Sequence, residues 1–435
     1  MKFHSVVGKS PPVDFSTALL QGLAPDGGLY VPEEIPRLPR SIMDRIDPGT
    51  LHQLAFQTIS RFLPDVPEDA LEKIIQKSLT FPIPLVKLEE HLYLLELFHG
   101  PTLAFKDVGA RFMAEILSYV LAQQQRTVSI LVATSGDTGS AVAHGFFGVP
   151  QITVYVLYPS GKISRLQEQQ MTTLGGNICA IEVDGTFDDC QRLVKQALVD
   201  SEVLASRPLT TANSINLARL LPQIVYYVWA FAQYKQMPSA SAILPTVVVP
   251  SGNFGNLTAA VYAKWMGVPF GSFIAATNAN DVVPKYLQTG TFSPRPTLPT
   301  LSNAMDVGNP SNLSRLQSLY KNDLAKLRRE IDAVSISDEE TLREIKRTHD
   351  RSGHILDPHT AVGVAAARLH SSSGGNVSSI IVAATAHPAK FGETIRRAIG
   401  LEIPLPPSLQ EALRRTKRST RIGSDYEQLK AILIG

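Results

Sequence analysis

HGPTLAFKDVGARF, residues 99–112, marks the point where extended chain gives way to helix. From Val108 onward, apolar residues at Val108, Phe112, Ile116 and Val120 recur at helical spacing. Lys106 stands at that boundary, beside the positive end of the helix dipole, which disfavours an ammonium and favours the free amine that attacks a carbonyl. A lysine at a helix start is more often a plain solvated charge. What surrounds it in the chain decides between the two.

Working outward, short apolar runs alternate with helical patterns. Strands are predicted at 128–133, 152–158, 178–183, 246–249, 273–276 and 379–384, and helices at 108–122, 140–147, 163–174, 187–199, 215–234 and 257–266. Val- and Ile-rich strands separated by helices of this length predict an α/β fold with parallel sheets covered on both faces. Ligands in such sheets bind beyond the carboxyl ends of the strands. Two glycine-rich turns fall there, ATSGDTGSAVAH (133–144) and VVVPSGNFGNLTAAV (247–261). In SGNFGN (251–256) the backbone amides can converge on an anion with a helix dipole behind them, and Gly252 and Gly255 let the backbone come close. The loop lacks the dinucleotide pattern GxGxxG, which argues against a nicotinamide enzyme.

Residues 1–90 are proline-rich, with amphipathic helices predicted at 41–62 and 67–79. Residues 236–245 read as a linker, and Ser337 with Glu340 forms a capping box opening a charged helix at 338–349. The tail carries a basic run, Arg414, Arg415, Lys417, Arg418 and Arg421, expected to be a solvated helix face. Gly8-Lys9-Ser10 lacks the leading glycine of a P-loop and is set aside. His354, Asp357 and His359 read as a helix-opening turn at Asp357-Pro358 and not as metal ligands.

A chain of 435 residues implies two or three domains. Its net charge of +2 gives no electrostatic case for a nucleic-acid partner. Cys179 and Cys190 cannot form a disulfide framework, the N-terminus lacks a secretory apolar core, and no run of roughly 18 apolar residues occurs. A cytoplasmic protein acting on a small molecule, without membrane or nucleic acid, is expected.

Lys106 with its flanks, both glycine-rich turns, IIVAATAHPAKF (380–391) and the N-terminal phrase QGLAPDGGLYVPEEIP (21–36) together resemble the threonine synthase family. That family lies in the tryptophan-synthase-β-like, fold type II group of pyridoxal phosphate enzymes, and the resemblance covers most of the chain. It implies two parallel-sheet αβα lobes with an added, mainly helical N-terminal domain. The expected domains are 1–90, 91–235 with the Schiff-base lysine and substrate loop, and 236–435 with the cofactor phosphate loop and tail.

The resemblance further implies that Lys106 carries pyridoxal 5'-phosphate and that Ser251, Gly252, Asn253, Phe254, Gly255 and Asn256 hold its phosphate. Thr385 matches the residue that hydrogen-bonds the pyridine nitrogen, with His387 and Pro388 shaping that loop. Thr134, Ser135, Asp137 and Thr138 fall in the loop that grips the substrate's α-carboxylate. Many relatives carry asparagine in place of Asp137, where it meets the cofactor's 3′-oxygen; a carboxylate there repels a phenolate unless a proton is shared, so this contact stays open. Lys162, Asn213, Ser214 and Arg219 match positions binding a substrate phosphate, with the arginine fork suited to two hydrogen bonds.

The implied reaction converts O-phospho-L-homoserine and water to L-threonine and phosphate, in a monomer or homodimer without metal. The alternatives are a phospho-lyase of the same family releasing a keto acid, a dehydratase or cysteine synthase with no need of the Arg219 site, and a non-enzymatic binding protein. Product analysis separates the first, and a colourless, unreconstitutable protein would favour the last.

Overall fold

In the computed structural model, described for residues 1–39, 41–42, 51–238, 240, 243–372 and 378–435, the predicted apolar runs form two separate sheets. The strands are β1 (Phe3–Ser5), β2 (Tyr30–Pro32), β3 (Leu85–Glu89), β4 (Leu92–Glu96), β5 (Val128–Ala133), β6 (Ile152–Pro159) and β7 (Ile178–Val183). They continue with β8 (Leu209–Thr211), β9 (Thr246–Pro250), β10 (Phe273–Thr277), β11 (Ile331–Ser335), β12 (Ile380–Ala384) and β13 (Thr420–Ile422).

One sheet has the order β13-β7-β6-β5-β8 and is parallel throughout. The other has the order β11-β10-β9-β12-β4-β3 and is parallel except at its edge, where β3 and β4 pair antiparallel. Every residue of β5, β9, β10 and β12 is buried. That burial explains why these strands read as unbroken apolar runs: helices cover both sheet faces, and no side faces water.

The sheets cross the expected linear division at three strands, the first being β3, which lies within 1–90 yet pairs with β4 in the larger sheet. Strand β4 lies within 91–235 yet pairs with β12, and β13 in the C-terminal tail pairs with β7 of the other sheet. The basic tail is therefore partly structural: Lys417 bonds Glu168 at 2.7 Å and Glu182 at 2.6 Å, and Arg421 bonds Asp184.

The helix predicted at 215–234 is broken into Leu217–Leu220, a 3-10 turn Leu221–Gln223, and Ile224–Lys235. Pro222 lacks the N–H that would continue the ladder. The last segment is buried on almost every side, from Ile224 through Ala232, so it shows no amphipathic stripe. The N-terminal region adds a β1/β2 ribbon to helices Phe15–Gln21, Leu51–Ile59 and Glu68–Ser78, and so is not helical alone. The helix expected at 41–62 and the linker at 236–245 fall partly outside the described residues. The capping box at Ser337 and Glu340 forms and opens helix Asp338–Ser352.

Polar contacts tie this N-terminal region to the interior, among them three that reach the segments beside the cleft and Arg111 Nε, which donates to Ser78 O at 3.1 Å. Asn216 donates to Leu19 O at 2.9 Å, Thr210 to the same carbonyl at 3.2 Å, and the fully buried Arg315 to Tyr30 O at 3.0 Å. Arg315 also reaches Ser214 O at 3.2 Å, bracing the segment that borders the cleft between the sheets.

Candidate active site

Lys106 is the first residue of helix Lys106–Gln124. The chain enters it through Leu103, whose φ of +58° is a left-handed conformation that costs a residue with a β-carbon roughly 1–2 kcal/mol. Main-chain contacts hold that entry in place: Ala104 bridges Ala386, Phe105 N–H donates to Thr385 O at 2.9 Å, and His387 N–H donates to Leu103 O at 3.1 Å. The lysine and Thr385, far apart in sequence, thus sit on adjacent backbones.

The Lys106 ammonium lies 3.9 Å from Asp137 Oδ2. Asp137 opens helix Asp137–Phe146, and its other oxygen accepts from Lys390 Nζ at 2.6 Å and Gln167 Nε2 at 3.1 Å. Burial pushes Lys106 down to about 8, against the pull of Asp137 and with the repulsion of Lys390 and Arg219. Burial also acts to raise the Asp137 carboxyl, but Lys390 and then Lys106 hold it well below the usual carboxylate range. Asp107, the next residue, accepts from Thr102 N at 2.9 Å and Thr102 Oγ1 at 2.6 Å, and burial raises its carboxyl.

The turn 134–139 is shaped by one hydroxyl. Thr134 Oγ1 accepts from Gly136 N at 2.9 Å and Gly139 N at 2.7 Å; Gly136, at φ +130°, is also a position where a Cβ would run into Gln167 at 2.4 Å. The first-turn amides of the following helix have no intrahelical acceptor, and Ser135, Asp137 and Thr138 line the cleft.

The second loop is fastened from behind. Ser251 Oγ donates to Val249 O at 2.7 Å, Asn253 Nδ2 to Ser214 Oγ at 2.6 Å, and Tyr227 Oη to Asn256 Oδ1 at 2.7 Å. Its left-handed residue is Phe254, at φ +63°, and neither glycine. A Cβ on Gly252 would stand 2.7 Å from Met305 Cα, whereas one on Gly255 would meet nothing closer than 3.5 Å within the protein. Gly252 serves close backbone packing, and Gly255 leaves space on the cleft side.

Asn213, Ser214 and Arg219 line the same cleft. The Asn213 amide brackets the end of β5, donating to Ala133 O at 2.8 Å and accepting from Ala133 N at 3.2 Å. Arg219 is buried, donates to Ala212 O, and leaves Nε without a partner among the described residues. Lys162 is exposed on the turn before helix Arg165–Thr172 and is not among the cleft-lining residues.

His359 also lines the cleft. Its Nε2 accepts from Ala304 N at 3.1 Å, which puts the proton on Nδ1, and Nδ1 donates to Asp357 Oδ1 at 2.8 Å. Asp357 accepts from the N–H groups of His359 at 2.9 Å and Thr360 at 3.3 Å, the opening turn of helix Pro358–Ser372. Thr360 Oγ1 in turn accepts from Thr385 N at 3.3 Å. No cluster of metal-binding side chains occurs among the described residues.

Residues 77–385 match the model of the pyridoxal-phosphate dependent enzyme family, residues 2–79 the threonine synthase N terminus, and residues 360–433 the threonine synthase C-terminal region. The chain is 43% identical to a threonine synthase of Haemophilus influenzae and 41% identical to that of Escherichia coli, covering 100% of this chain and 100% and 99% of the relatives. The chain belongs to the threonine synthase family. It superposes with a TM-score of 0.92 at 35% identity on a pyridoxal phosphate-bound threonine synthase from Brucella melitensis, and with 0.91 at 40% on the Escherichia coli structure. Both superpositions span 100% of this chain and 99% of the other.

A threonine synthase of this fold is a pyridoxal phosphate-dependent lyase acting on a small molecule, and the cleft fits that cofactor. The cationic side chains Lys106, Lys390 and Arg219 outnumber the carboxyls Asp137 and Asp107, so the site is suited to anionic ligands. Arg219 Nε, Gln223 Oε1 and Asn256 Nδ2 are buried without partners among the described residues, and all three residues line the cleft. No described helix is long and apolar enough to cross a membrane.

Of the cofactor- and substrate-binding residues implied by the family resemblance, all but Lys162 line this one cleft; His387 and Pro388, expected to shape the loop after Thr385, are not among the lining residues. Lys390, His359, Gln167 and Phe187 went unassigned in the sequence. Lys390 had one legible signal: it is the only charge in the apolar phrase IIVAATAHPAKF apart from His387.

Proposed function

We propose that the chain converts O-phospho-L-homoserine and water to L-threonine and inorganic phosphate, with Lys106 as the amine that holds the cofactor and moves the protons. The observation that supports this most is Lys106 itself: a mostly buried amine, its side chain 15% exposed, facing Asp137 in a cleft where the buried donors Arg219 Nε and Asn256 Nδ2 have no partner among the described residues. When bound, pyridoxal phosphate supplies an electron sink for the carbons next to the substrate's amino group.

The loop 251–256, at the start of helix Gly255–Trp265, binds the cofactor's phosphate through its amides and the helix dipole. Thr385 offers a hydroxyl to the ring nitrogen, a neutral partner that does not hold that nitrogen protonated as a carboxylate does. Amides of Ser135, Asp137 and Thr138 take the substrate's α-carboxylate, and Thr134, bonded by the Gly136 and Gly139 amides, fixes the turn. Arg219 and Ser214 take the substrate's phosphate, while Asn213, occupied by Ala133, positions that segment. Lys162 takes no part in this assignment.

Lys106 removes the Cα proton and shuttles protons as amine and ammonium. A Cβ proton is removed in turn, the Cγ–O bond breaks with its electron pair leaving on phosphate, a proton is delivered to Cγ, the water oxygen bonds to Cβ while its released proton goes to the phosphate, and a proton returns to Cα. Phe187 and Gln191 from one lobe and Met305 and Val307 from the other line the cleft, and approach of the lobes excludes water until it is needed. The protein acts in the cytoplasm as a monomer or homodimer, and its low net charge of +2 supports the absence of a nucleic-acid partner.

Incubation with O-phosphohomoserine and identification of both products tests this. Threonine and phosphate in equal amounts are expected, and phosphate with a keto acid overturns it.

A further inference from the structure

Lys390 is a lysine with no exposed side-chain surface, sitting in the 3-10 turn Pro388–Phe391 that follows β12. It crosses from the larger sheet to donate to Asp137 Oδ1 at 2.6 Å and to Thr102 O at 2.9 Å. A buried lysine is costly to keep charged, so such an ion is retained only where a partner and hydrogen bonds compensate it. Here the partner is the carboxylate that also faces the candidate catalytic amine.

The two oxygens of Asp137 are divided. Oδ1 is occupied by Lys390 and by Gln167 Nε2 at 3.1 Å, and Oδ2 stands 3.9 Å from Lys106, too far for a hydrogen bond. Gln167 is itself held in the capping box with Ser164, so the side chain that steadies Asp137 is fixed by its own helix start. Lys106 thus feels a nearby counter-charge without being locked to it.

We infer that Lys390 is a positioning residue: pinned to one oxygen of Asp137, it leaves the other as a shared counter-charge and so sets how firmly Lys106 holds its proton. The remaining groups facing the pair are accounted for. Arg219 and Asp107 act on Lys106, the Phe105 ring lies 5.1 Å from its ammonium, and His359 acts on Asp137. Asp107 is occupied by Thr102, and the hydroxyl of Tyr226, which also faces Asp107, donates to Phe105 O. Among the described residues, Lys390 is the one ammonium bonded directly to Asp137. Removing it deletes a like charge near Lys106 and leaves the carboxylate uncompensated; both changes strengthen the hold of Lys106 on its proton.

This inference rests on Lys106 being the cofactor's amine. The test is a pH titration of the visible cofactor band in the holoenzyme, wild type against Lys390→Met, Lys390→Arg and Asp137→Asn, with Lys106→Ala as reference. Lys390→Met is expected to raise the midpoint by about one pH unit, about tenfold in proton affinity. Lys390→Arg restores it toward wild type because the charge returns, and Asp137→Asn lowers it. If Lys390→Met does not fold, the opposed shifts of Lys390→Gln and Asp137→Asn are read instead. A merely structural lysine would lower thermal stability and cofactor retention in the variants without moving any midpoint. Unmoved midpoints, with the band abolished in Lys106→Ala, overturn the role of Lys390 alone; a band that survives Lys106→Ala overturns the assignment of Lys106 and this inference with it.

Discussion

Phe105 N–H donates to Thr385 O at 2.9 Å, so the residue before the candidate catalytic lysine is bonded to the residue assigned to the cofactor's ring nitrogen. This main-chain bond joins the start of helix Lys106–Gln124 to the end of β12. The backbones that carry Lys106 and Thr385 are therefore fixed relative to each other by a main-chain bond.

Thr385→Val keeps that backbone bond and removes only the hydroxyl. The fold and thermal midpoint should be nearly unchanged, while cofactor binding weakens by about 1 kcal/mol, roughly fivefold in Kd. Equilibrium dialysis against pyridoxal phosphate measures this, and unchanged affinity with an unchanged spectrum would remove Thr385 from the site.

The lowering of Lys106 to about 8 carries a pH prediction. Only the free amine attacks an aldehyde, so cofactor recapture by stripped protein should accelerate as pH rises and level off above about 8. An ordinary lysine would keep gaining to about 10.4. The sign for stability follows: the folded state holds the Lys106 proton less firmly than the unfolded chain, so its contribution is unfavourable below about 8 and is relieved as pH rises toward the unfolded value. Stopped-flow absorbance across that range reads the recapture profile.

Gly252→Ala places a methyl 2.7 Å from Met305 Cα, a backbone atom that cannot rotate away. A cost of about 1–3 kcal/mol is expected, with a matching loss of cofactor affinity as the loop shifts. Gly255→Ala meets no protein atom closer than 3.5 Å, so its stability should be nearly normal while cofactor affinity falls. Denaturation curves and cofactor titrations together separate the two glycines.

Arg219→Gln removes the guanidinium whose Nε has no partner among the described residues. A charge-assisted contact to phosphate contributes about 1.5–3 kcal/mol, so KM for the phosphorylated substrate should rise about tenfold or more. Inhibition by inorganic phosphate should weaken in parallel. Steady-state kinetics with added phosphate measures both, and an unchanged KM would place the substrate's phosphate elsewhere.

The sheets were legible because their strands are buried on both faces: β5 and β7 fall on the predicted residues, and β12 starts one residue later. The glycine-rich turns were legible because turns of this kind at strand ends need residues without a Cβ, although the left-handed position proved to be Phe254. Strand β13 and the β1/β2 ribbon were not, since three-residue strands carry no periodicity and owe their form to partners distant in sequence. Lys390 could not be placed for a related reason: its burial depends on Asp137, 253 positions away in the chain. Lys162 shows the converse, a charge in a suggestive phrase that the fold leaves exposed.

The central claim is that Lys106 is the amine bonded to the cofactor. Borohydride reduction of the holoenzyme followed by peptide mapping tests it most directly, because two lysines flank Asp137 and only one can carry the label. The account predicts a single reduced adduct on Lys106. An adduct on Lys390, on any other lysine, or on none would contradict it.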